Sequence, residues 1–354
     1  MKKVIVIAGD GIGPEITDEA VKVLSEVIKD SKEEITFNYH LFGGASIDEY
    51  GIPFNDKLKL DLEGADAVLL GAVGGPKWDL VDSSIRPEKG LLEIRKHMGL
   101  FCNLRPIKVY KSLKHKSPVK LKSDIDFMIV RELTGGIYFG EKKNYEKDGE
   151  KFASDAMTYS ESEIKRISKW AIKVANERKT HLTLVDKANV LESSKLWRKT
   201  IESMEESKSV DIDYMYVDNA AMQLILGPEQ FGVVLTSNMF GDILSDAGGA
   251  VTGSIGLLPS ASLSDSDVGL YEPIHGSAPD IAGQNIANPL GTILSTAMML
   301  RHSFHMDKEA IIIEMAVENT INAGILSKEL AGDAKSYSTS EIGNYVVEEI
   351  RKII

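Results

Sequence analysis

The sequence predicts an α/β fold with a largely parallel sheet, and two features of its apolar pattern support that prediction. Short continuous apolar runs, such as residues 4–8 and 65–70, are typical of strands buried on both faces of a parallel sheet. Each run ends in a polar or glycine-containing turn, and most of these turns lead into a segment with helical spacing of apolar residues. Repeated strand, turn and helix is the pattern of α/β architecture.

The elements can be followed from the first strand. Residues 4–8 are predicted to be a strand, residues 9–13 a turn, and Pro14 suits the first turn of the helix that follows. The same reasoning predicts further strands at residues 65–70, 127–130, 181–185, 215–217 and 232–235. The polar stretch 141–163 fits neither the helical nor the strand period, so we expect a protruding arm or a long loop there.

Composition excludes several classes of protein. The 354 residues are 43% hydrophobic, enough for one large domain or two. The net charge of −12 argues against nucleic acid as a partner, and no apolar stretch approaches the roughly 20 residues that span a membrane. Cys102 is the only cysteine, which excludes an intrachain disulfide and a cysteine-based zinc site. We therefore expect a cytoplasmic protein.

The glycine-rich turn at residues 9–13 does not match the dinucleotide fingerprint of a Rossmann fold. Counted from Gly9, the third glycine of G-x-G-x-x-G falls on Pro14; counted from Gly11, it falls on Ile16. A tight turn between strand and helix is the favoured interpretation.

Three aspartates are candidates for a metal site. Asp242 and Asp246 lie four residues apart, on one face of a predicted helix, and Asp218 follows another strand. Two carboxylates about 4 Å apart repel by about 4 kcal/mol at an effective dielectric of about 20, so a partly buried trio favours a cation. Oxygen ligands favour Mg²⁺ or Mn²⁺ over Zn²⁺. Alternatively, all three are ordinary helix-start or turn aspartates.

Basic residues near strand ends are candidates for catalysis and substrate binding. Lys187 follows a strand at its carboxyl end, where ligands of open α/β sheets gather, and a desolvated lysine can act as a base. Arg95, Arg105 and Arg131 carry planar forks that suit carboxylates. The alternatives are a surface lysine that opens a helix and arginines in structural ion pairs. Residues 275–280 form a short turn that contains small residues, which would let a ligand approach the backbone closely. Alternatively, this segment is a plain structural turn.

Five motifs resemble those of the β-decarboxylating hydroxyacid dehydrogenases, the isocitrate/isopropylmalate dehydrogenase family. In chain order they are Gly9–Glu15, Arg131–Gly140, Asp186–Val190, Asn238–Asp246 and His275–Gly283. The likeness runs nearly from end to end. Several long motifs in the right order make the resemblance highly specific.

The resemblance implies a non-Rossmann fold of two α/β domains with a mostly parallel mixed sheet. A discontinuous nucleotide-binding domain would comprise residues 1–99 and 252–354. A second domain, 100–251, would carry the dimer interface and an arm at 133–163. The implied assembly is a homodimer with shared active sites.

The resemblance also implies roles for individual residues. Lys187 would take the substrate hydroxyl proton, and Tyr138 would help protonate the enolate left by CO₂. Lys187 and Asp218 would reach into the partner's site. A divalent ion, Mg²⁺ or Mn²⁺, would be held by Asp218, Asp242 and Asp246. The substrate would contact Arg95, Arg105, Arg131, Asp218, Glu88, Leu91, Leu92 and Val190. NAD would lie against Gly75, Glu88, His275, Gly276, Ser277, Ala278, Pro279, Asp280, Ile281 and Asn288.

Two positions distinguish members of this family. Isocitrate enzymes have Ser and Asn six and four residues before the first substrate arginine, where this chain has Lys89 and Leu91. Leu91 and Leu92 suit a branched alkyl group, since burying three carbons contributes about 2.4 kcal/mol. Lys89 is expected in a substrate-facing loop. Asp280 suits ribose hydroxyls and repels a 2′-phosphate, which predicts NAD⁺.

The expected activity is NAD-dependent oxidative decarboxylation of 3-isopropylmalate to 4-methyl-2-oxopentanoate and CO₂, in leucine biosynthesis. One alternative is a dehydrogenase of another 2-hydroxy diacid, such as methylmalate, tartrate or isocitrate. The other is a non-catalytic nucleotide- and metal-binding regulatory subunit. Tyr138 and Lys187 argue against the latter, because a binding module needs no base.

Overall fold

The computed structural model describes residues 2–31 and 33–354, and the chain divides into two compact units. The first unit comprises Met1–Leu100, Tyr110–Ser117 and Thr252–Ile354. The second comprises Phe101–Val109 and Pro118–Val251. Residues 110–117 group with the first unit, whereas the sequence expectation assigned them to the second domain. The reason is local packing: a 3-10 helix at Lys111–Lys116 packs against a helix of the first unit at Asp307–Asn322.

Strands and helices alternate along most of the chain. The strands are β1 (Lys2–Gly9), β2 (Ile35–Tyr39), β3 (Ala67–Ala72), β4 (Cys102–Lys108), β5 (Asp126–Glu132), β6 (Lys142–Lys147), β7 (Glu150–Asp155), β8 (Leu182–Asp186), β9 (Ile212–Tyr216), β10 (Val233–Thr236), β11 (Pro259–Leu263) and β12 (Gly269–Pro273). The helices are α1 (Gly13–Val27), α2 (Gly44–Tyr50), α3 (Asp56–Leu62), α4 (Pro87–His97), α5 (Glu161–Arg178), α6 (Glu192–Ser203), α7 (Val217–Leu226), α8 (Asn238–Thr252), α9 (Leu290–His302), α10 (Asp307–Asn322), α11 (Lys328–Ala331) and α12 (Thr339–Ile353). The predicted α/β class is confirmed.

The sheet of the first unit has the strand order β2-β1-β3-β12-β11. Its neighbouring strands are parallel except for β11 and β12, which are antiparallel. The central strands are apolar along most of their length and buried on both faces, as the continuous run in β3 predicts. Pro14 lies in the first turn of α1, as predicted, and α1 packs against α9 and α12.

The strands of the second unit have the order β4-β5-β10-β8-β9. β4 is antiparallel to β5, and the other pairs are parallel. In this register Thr236, near the end of β10, lies beside Arg131 of β5 and Val185 of β8. The carboxyl ends of three neighbouring strands therefore place Arg131, Lys187 and the start of α8 along one edge.

The polar stretch 141–163, for which the sequence predicts either a protruding arm or a long loop, contains a β-hairpin. β6 and β7 pair antiparallel, and every residue of both strands is exposed. The rings of Tyr145 and Phe152 stack with centroids 5.2 Å apart. Asp148 and Gly149 form the two-residue tip with φ of 55° and 80°. An Asp-Gly pair is a strong hairpin signal, so this element was recognisable from the sequence.

Within the described residues, no helix combines the length and the apolar character needed to cross a membrane.

Candidate functional site

A cluster of opposite charges lies at the carboxyl ends of β5 and β10. Arg131, the penultimate residue of β5, is 2% exposed, and its Nη1 donates to Oδ1 of Asp242 on α8. The Tyr138 hydroxyl donates to the other carboxylate oxygen of Asp242 at 3.0 Å. The Asp242 carboxylate thus accepts hydrogen bonds from both Arg131 and Tyr138, which lie seven residues apart in the motif Arg131–Gly140.

Arg105 of β4 extends this cluster. Its guanidinium lies 3.6 Å from Asp242 and 3.6 Å from Asp246, one helical turn further along α8. It also donates to Asn103 Oδ1 at 2.6 Å and to Ser245 Oγ at 2.5 Å. The sequence analysis assigned no role to Asn103 or Ser245. The only signal for Asn103 in the sequence was its position two residues before Arg105. Residues i and i+2 share one face of a strand, so a polar residue there lies on the same face as the arginine.

The electrostatics of the cluster affect two titratable groups. Burial raises the pKa of Tyr138, and the adjacent Asp242 carboxylate raises it further. The phenol therefore keeps its proton at neutral pH. Burial also raises the pKa of Asp246; Arg105 opposes this effect and the like charge of Asp242 adds to it. A divalent cation would relieve the mutual repulsion of Asp242 and Asp246.

Lys187 and Asp218 form a separate pair in the same unit. Lys187 Nζ lies 2.7 Å from Asp218 Oδ1, and this hydrogen bond lowers the pKa of the Asp218 carboxyl. Asp218 is exposed in the first turn of α7, and Val190, in the turn after Lys187, is 64% exposed. Both pair members follow strand ends, as the sequence predicts.

The described part of the chain contains no group of three or more His, Cys, Asp or Glu side chains placed to hold a metal ion. Asp242 and Asp246 thus come together without Asp218. Two carboxylates on one helix face suit a hard cation such as Mg²⁺ as part of its ligand set.

In the first unit, a buried aspartate organises three turns. The Asp10 carboxylate accepts hydrogen bonds from the backbone N–H groups of Gly44, Ala45 and Gly74 at 2.8–2.9 Å. Burial raises the pKa of Asp10, and these hydrogen bonds partly offset that effect. Gly74 has φ of 95°, and a Cβ there would lie 2.8 Å from Glu88 Oε1. The sequence analysis assigned no role to Asp10, although an aspartate directly after a buried strand is a recognisable signal.

Helix α4 carries the candidate residues of the first unit for substrate binding. Lys89 lies in the first turn of this helix, so the expectation that it lies in a loop was wrong. Pro87 can start the helix because a backbone N–H at the first helical position has no partner within the helix, so its absence in proline costs no hydrogen bond. Leu91 is partly buried against the apolar core of this unit, and Leu92 is also partly buried. Arg95 donates to Glu272 at 3.0 Å, whereas its buried Nε finds no partner among the described residues. An unsatisfied buried donor is consistent with a ligand.

The turn after β12 contains most of the residues predicted to contact NAD. Ser277 donates through Oγ to Gly74 O at 2.7 Å, and its carbonyl accepts from Ile12 N at 2.8 Å. A Cβ on Gly11 would lie 2.0 Å from that carbonyl, so the glycine-rich turn packs directly on this segment. Burial lowers the pKa of His275, and its buried Nε2 has no partner in the described chain. The imidazole is therefore neutral at neutral pH and keeps one ring nitrogen without a partner among the described residues.

The other residues predicted to contact NAD lie in this turn or elsewhere in the first unit. Ala278 has φ of 38°, and Ile281 packs against Ile12 and Ile16. Gly276, Pro279 and Asp280 are exposed. Gly75 has φ of 153°, and the Asn288 amide donates to Glu329 at 3.1 Å. Small, exposed residues and an unpaired ring nitrogen fit a planar, polar ligand such as a dinucleotide.

Comparisons with known proteins agree with this arrangement. The isocitrate/isopropylmalate dehydrogenase family matches residues 3–346. A 3-isopropylmalate dehydrogenase from Bacillus licheniformis is 54% identical over 346 residues, which cover 96% of this chain and 94% of that protein. One from Bacillus subtilis is 50% identical and covers 100% and 97%.

Two solved structures have the same fold. An isocitrate dehydrogenase from Methylococcus capsulatus gives a TM-score of 0.88 at 31% identity, covering 99% of this chain and 100% of that one. A β-decarboxylating dehydrogenase from Thermococcus kodakarensis gives 0.80 at 35% identity, covering 100% and 97%.

Proposed function

This chain belongs to the isocitrate/isopropylmalate dehydrogenase family, and from that membership we propose that it oxidises and decarboxylates 3-isopropylmalate in leucine biosynthesis. The observation that carries the proposal is the near full-length identity of about half with 3-isopropylmalate dehydrogenases from several bacteria. The site supports it, because two arginines, two carboxylates and a protonated phenol form one cluster whose chemistry suits a diacid.

Three arginines are proposed to bind the two carboxylates of the malate. Arg105 and Arg131 are held rigidly by hydrogen bonds to buried or partly buried groups, so little side-chain entropy is lost on binding. Arg95 is also buried, and its unpaired Nε supports a role in binding an anion. Bidentate contacts would fix the orientation of the substrate.

Lys187 and Tyr138 are proposed to move protons. Lys187 would accept the proton of the substrate hydroxyl as the hydride leaves the same carbon. Tyr138, whose raised pKa keeps the phenol protonated, would deliver a proton to the carbon that loses CO₂. Asp242 accepts the hydrogen bond of Tyr138 and orients its hydroxyl.

The residues fit NAD and a divalent cation as cofactors. When bound, NAD accepts the hydride, and Mg²⁺ or Mn²⁺ stabilises negative charge on the substrate oxygen. Asp242, Asp246 and Asp218 would hold the cation. Residues 275–281, with Gly75, Glu88 and Asn288, would bind NAD, and exposed Asp280 would disfavour the 2′-phosphate of NADP.

The isopropyl group is proposed to contact Leu91, Leu92 and Val190. Leu91 and Leu92 are only partly buried, and Val190 is exposed, so each has apolar surface available to a ligand. Glu88 lies beside Leu91 and Leu92 on the same helix. These residues offer no partner to a third carboxylate of the kind isocitrate carries.

We further propose a homodimer whose sites share residues. Met222, Ile225 and Leu226 are 48–60% exposed at helical spacing on α7, and Ile243 is exposed on α8. An apolar stripe of this kind on a helix marks an association surface. A second copy would bring Lys187 and Asp218 to the site that holds Asp242 and Asp246. We also expect a cytoplasmic location, where buried Cys102 would stay a free thiol.

NADH formation with a panel of 3-alkylmalates and isocitrate tests the proposal. We expect turnover of 3-isopropylmalate with NAD⁺, falling as the alkyl group is shortened, and none after a chelator has removed divalent ions. Turnover of isocitrate alone would overturn the substrate. No turnover of any diacid would favour a non-catalytic binding protein.

A further inference from the structure

We propose that Asn238 is a positioning residue that holds Arg131 and the 133–138 turn in a single arrangement. Through these contacts it sets the affinity for the substrate carboxylate and the placement of Tyr138. The inference rests on the proposed function, which gives Arg131 and Tyr138 their roles.

The Asn238 side chain uses its whole hydrogen-bonding capacity on these two segments. It is 1% exposed. Its Oδ1 accepts from Arg131 Nε at 3.1 Å and from Arg131 Nη2 at 2.8 Å. Its Nδ2 donates to the carbonyls of Leu133 at 3.0 Å and Gly135 at 3.3 Å. A side-chain amide offers two donors and two acceptor sites, so all four are engaged.

The sheet register explains why this residue reaches both segments. Arg131 lies beside Thr236 in the parallel pair of β5 and β10. Asn238 follows Thr236 by two residues and is the first residue of α8. It thus starts the helix at the level where β5 ends and the 133–138 turn begins. Its own backbone N–H donates to Tyr159 Oη at 3.0 Å, which fixes the start of the helix.

The next turn of α8 contacts the aliphatic part of the Arg131 side chain. A Cβ on Gly241 would lie 2.6 Å from Arg131 Cγ and 2.8 Å from its Cβ, so the arginine stem lies directly on the glycine. Asn238 then sets the orientation of the guanidinium, and Asp242 accepts from Nη1. Only an amide satisfies both sides of position 238, because a carboxylate has no donor and a methyl group has neither donor nor acceptor.

Two variants separate the acceptor side of the amide from its donor side. Asn238→Asp keeps an acceptor for Arg131 but has no donor for the carbonyls of Leu133 and Gly135. Asn238→Ala loses both. Tyr271→Phe, which removes a buried hydrogen bond to Ser303 in the first unit, is the control for general loss of stability. The measurements are the Kd of 3-isopropylmalate by calorimetry with Mg²⁺, kcat and KM for both substrates, and a crystal structure of Asn238→Ala.

We expect Asn238→Ala to weaken 3-isopropylmalate binding by about 10- to 100-fold, because hydrogen bonds to a charged group are lost, while KM for NAD⁺ stays within about twofold. Asn238→Asp should lower kcat by roughly tenfold or more, and raise Kd less than the alanine variant does. In the crystal, the Arg131 guanidinium of Asn238→Ala should leave its position. Tyr271→Phe should lower Tm and leave the kinetic constants unchanged.

Wild-type Kd and kcat in Asn238→Ala would overturn the proposal. So would equal losses for NAD⁺ and 3-isopropylmalate, since those indicate general damage. If the wild-type protein turned over no alkylmalate, the proposed function would fall, and the crystal structure would still decide the positioning claim. An unmoved Arg131 guanidinium in Asn238→Ala would then refute it.

Discussion

Burial and one neighbouring carboxylate decide the chemistry of Tyr138. The tyrosine is partly removed from water, and its hydroxyl donates to Asp242. Both effects favour the neutral phenol and raise its pKa. A sequence shows a tyrosine near an arginine; only the fold places a carboxylate against it.

Tyr138→Phe should lower kcat by about 10²-fold or more, the usual effect of removing a general acid, while KM for NAD⁺ changes little. Steady-state kinetics with 3-isopropylmalate provide the measurement. Tyr145→Phe, at an exposed position of the hairpin, is the matched control and should behave like wild type. A kcat for Tyr138→Phe within twofold of wild type would remove the proton-donor role.

We propose that the choice between NAD⁺ and NADP⁺ depends on Asp280. Its side chain is exposed on the turn after β12. Asp280→Lys should reduce the ratio of kcat/KM for NAD⁺ over NADP⁺ by roughly tenfold or more, because a cation attracts the 2′-phosphate. Asp265→Lys makes the same charge change on an exposed loop of the same unit and should leave the ratio unaltered. An unchanged ratio in Asp280→Lys would contradict the assignment.

At the scale of elements, helix α8 contributes more residues to the candidate site than the two aspartates to which the sequence assigned a role. Asn238, Gly241, Asp242, Ser245 and Asp246 follow one another at helical spacing and meet Arg131 or Arg105. The sequence identified the two aspartates of this face. It assigned no role to Asn238, Gly241 or Ser245.

Two glycines of α8 allow a matched test. Gly241→Ala would push a methyl group to within 2.6 Å of Arg131 Cγ, whereas Gly248→Ala would meet the Ile107 side chain at the longer distance of 3.3 Å. We expect Gly241→Ala to raise the Kd of 3-isopropylmalate about tenfold and to lower stability by about 1–3 kcal/mol. Gly248→Ala gains about 1 kcal/mol of helix propensity and should be near neutral. Calorimetry measures the Kd and thermal unfolding measures the stability of the two variants. Equal effects of the two substitutions would argue against the packing of Arg131 on Gly241.

For the whole molecule, the distribution of aspartates supports the proposed homodimer. A single chain brings Asp242 and Asp246 together and pairs Asp218 with Lys187. Its described residues contain no group of three or more His, Cys, Asp or Glu side chains placed to hold a metal ion. The exposed apolar stripe on α7 begins four residues after Asp218, so in the proposed homodimer a partner that covers the stripe would also receive the pair.

Complementation tests this sharing. Lys187→Ala and Asp246→Asn should each be inactive alone. If the sites are shared, a co-expressed heterodimer has one site with both changes and one site with neither. Random pairing would then restore about one quarter of wild-type activity. Two variants that stay inactive together, although heterodimers form, would show that each site belongs to one chain.

The sequence by itself determined the α/β class, the places of six of the twelve strands among the described residues, and most of the residues proposed for the site. Buried strands are recognisable as continuous apolar runs. The polar residues that follow such a run lie at the end of the strand, where ligands gather, as Lys187 and Asp218 do. It did not determine the pairing of β4 with β5, the group to which residues 110–117 belong, or the link from Asn238 to Arg131. Those depend on contacts between residues as much as 107 positions apart, where register and burial select among partners that are chemically equivalent in the sequence.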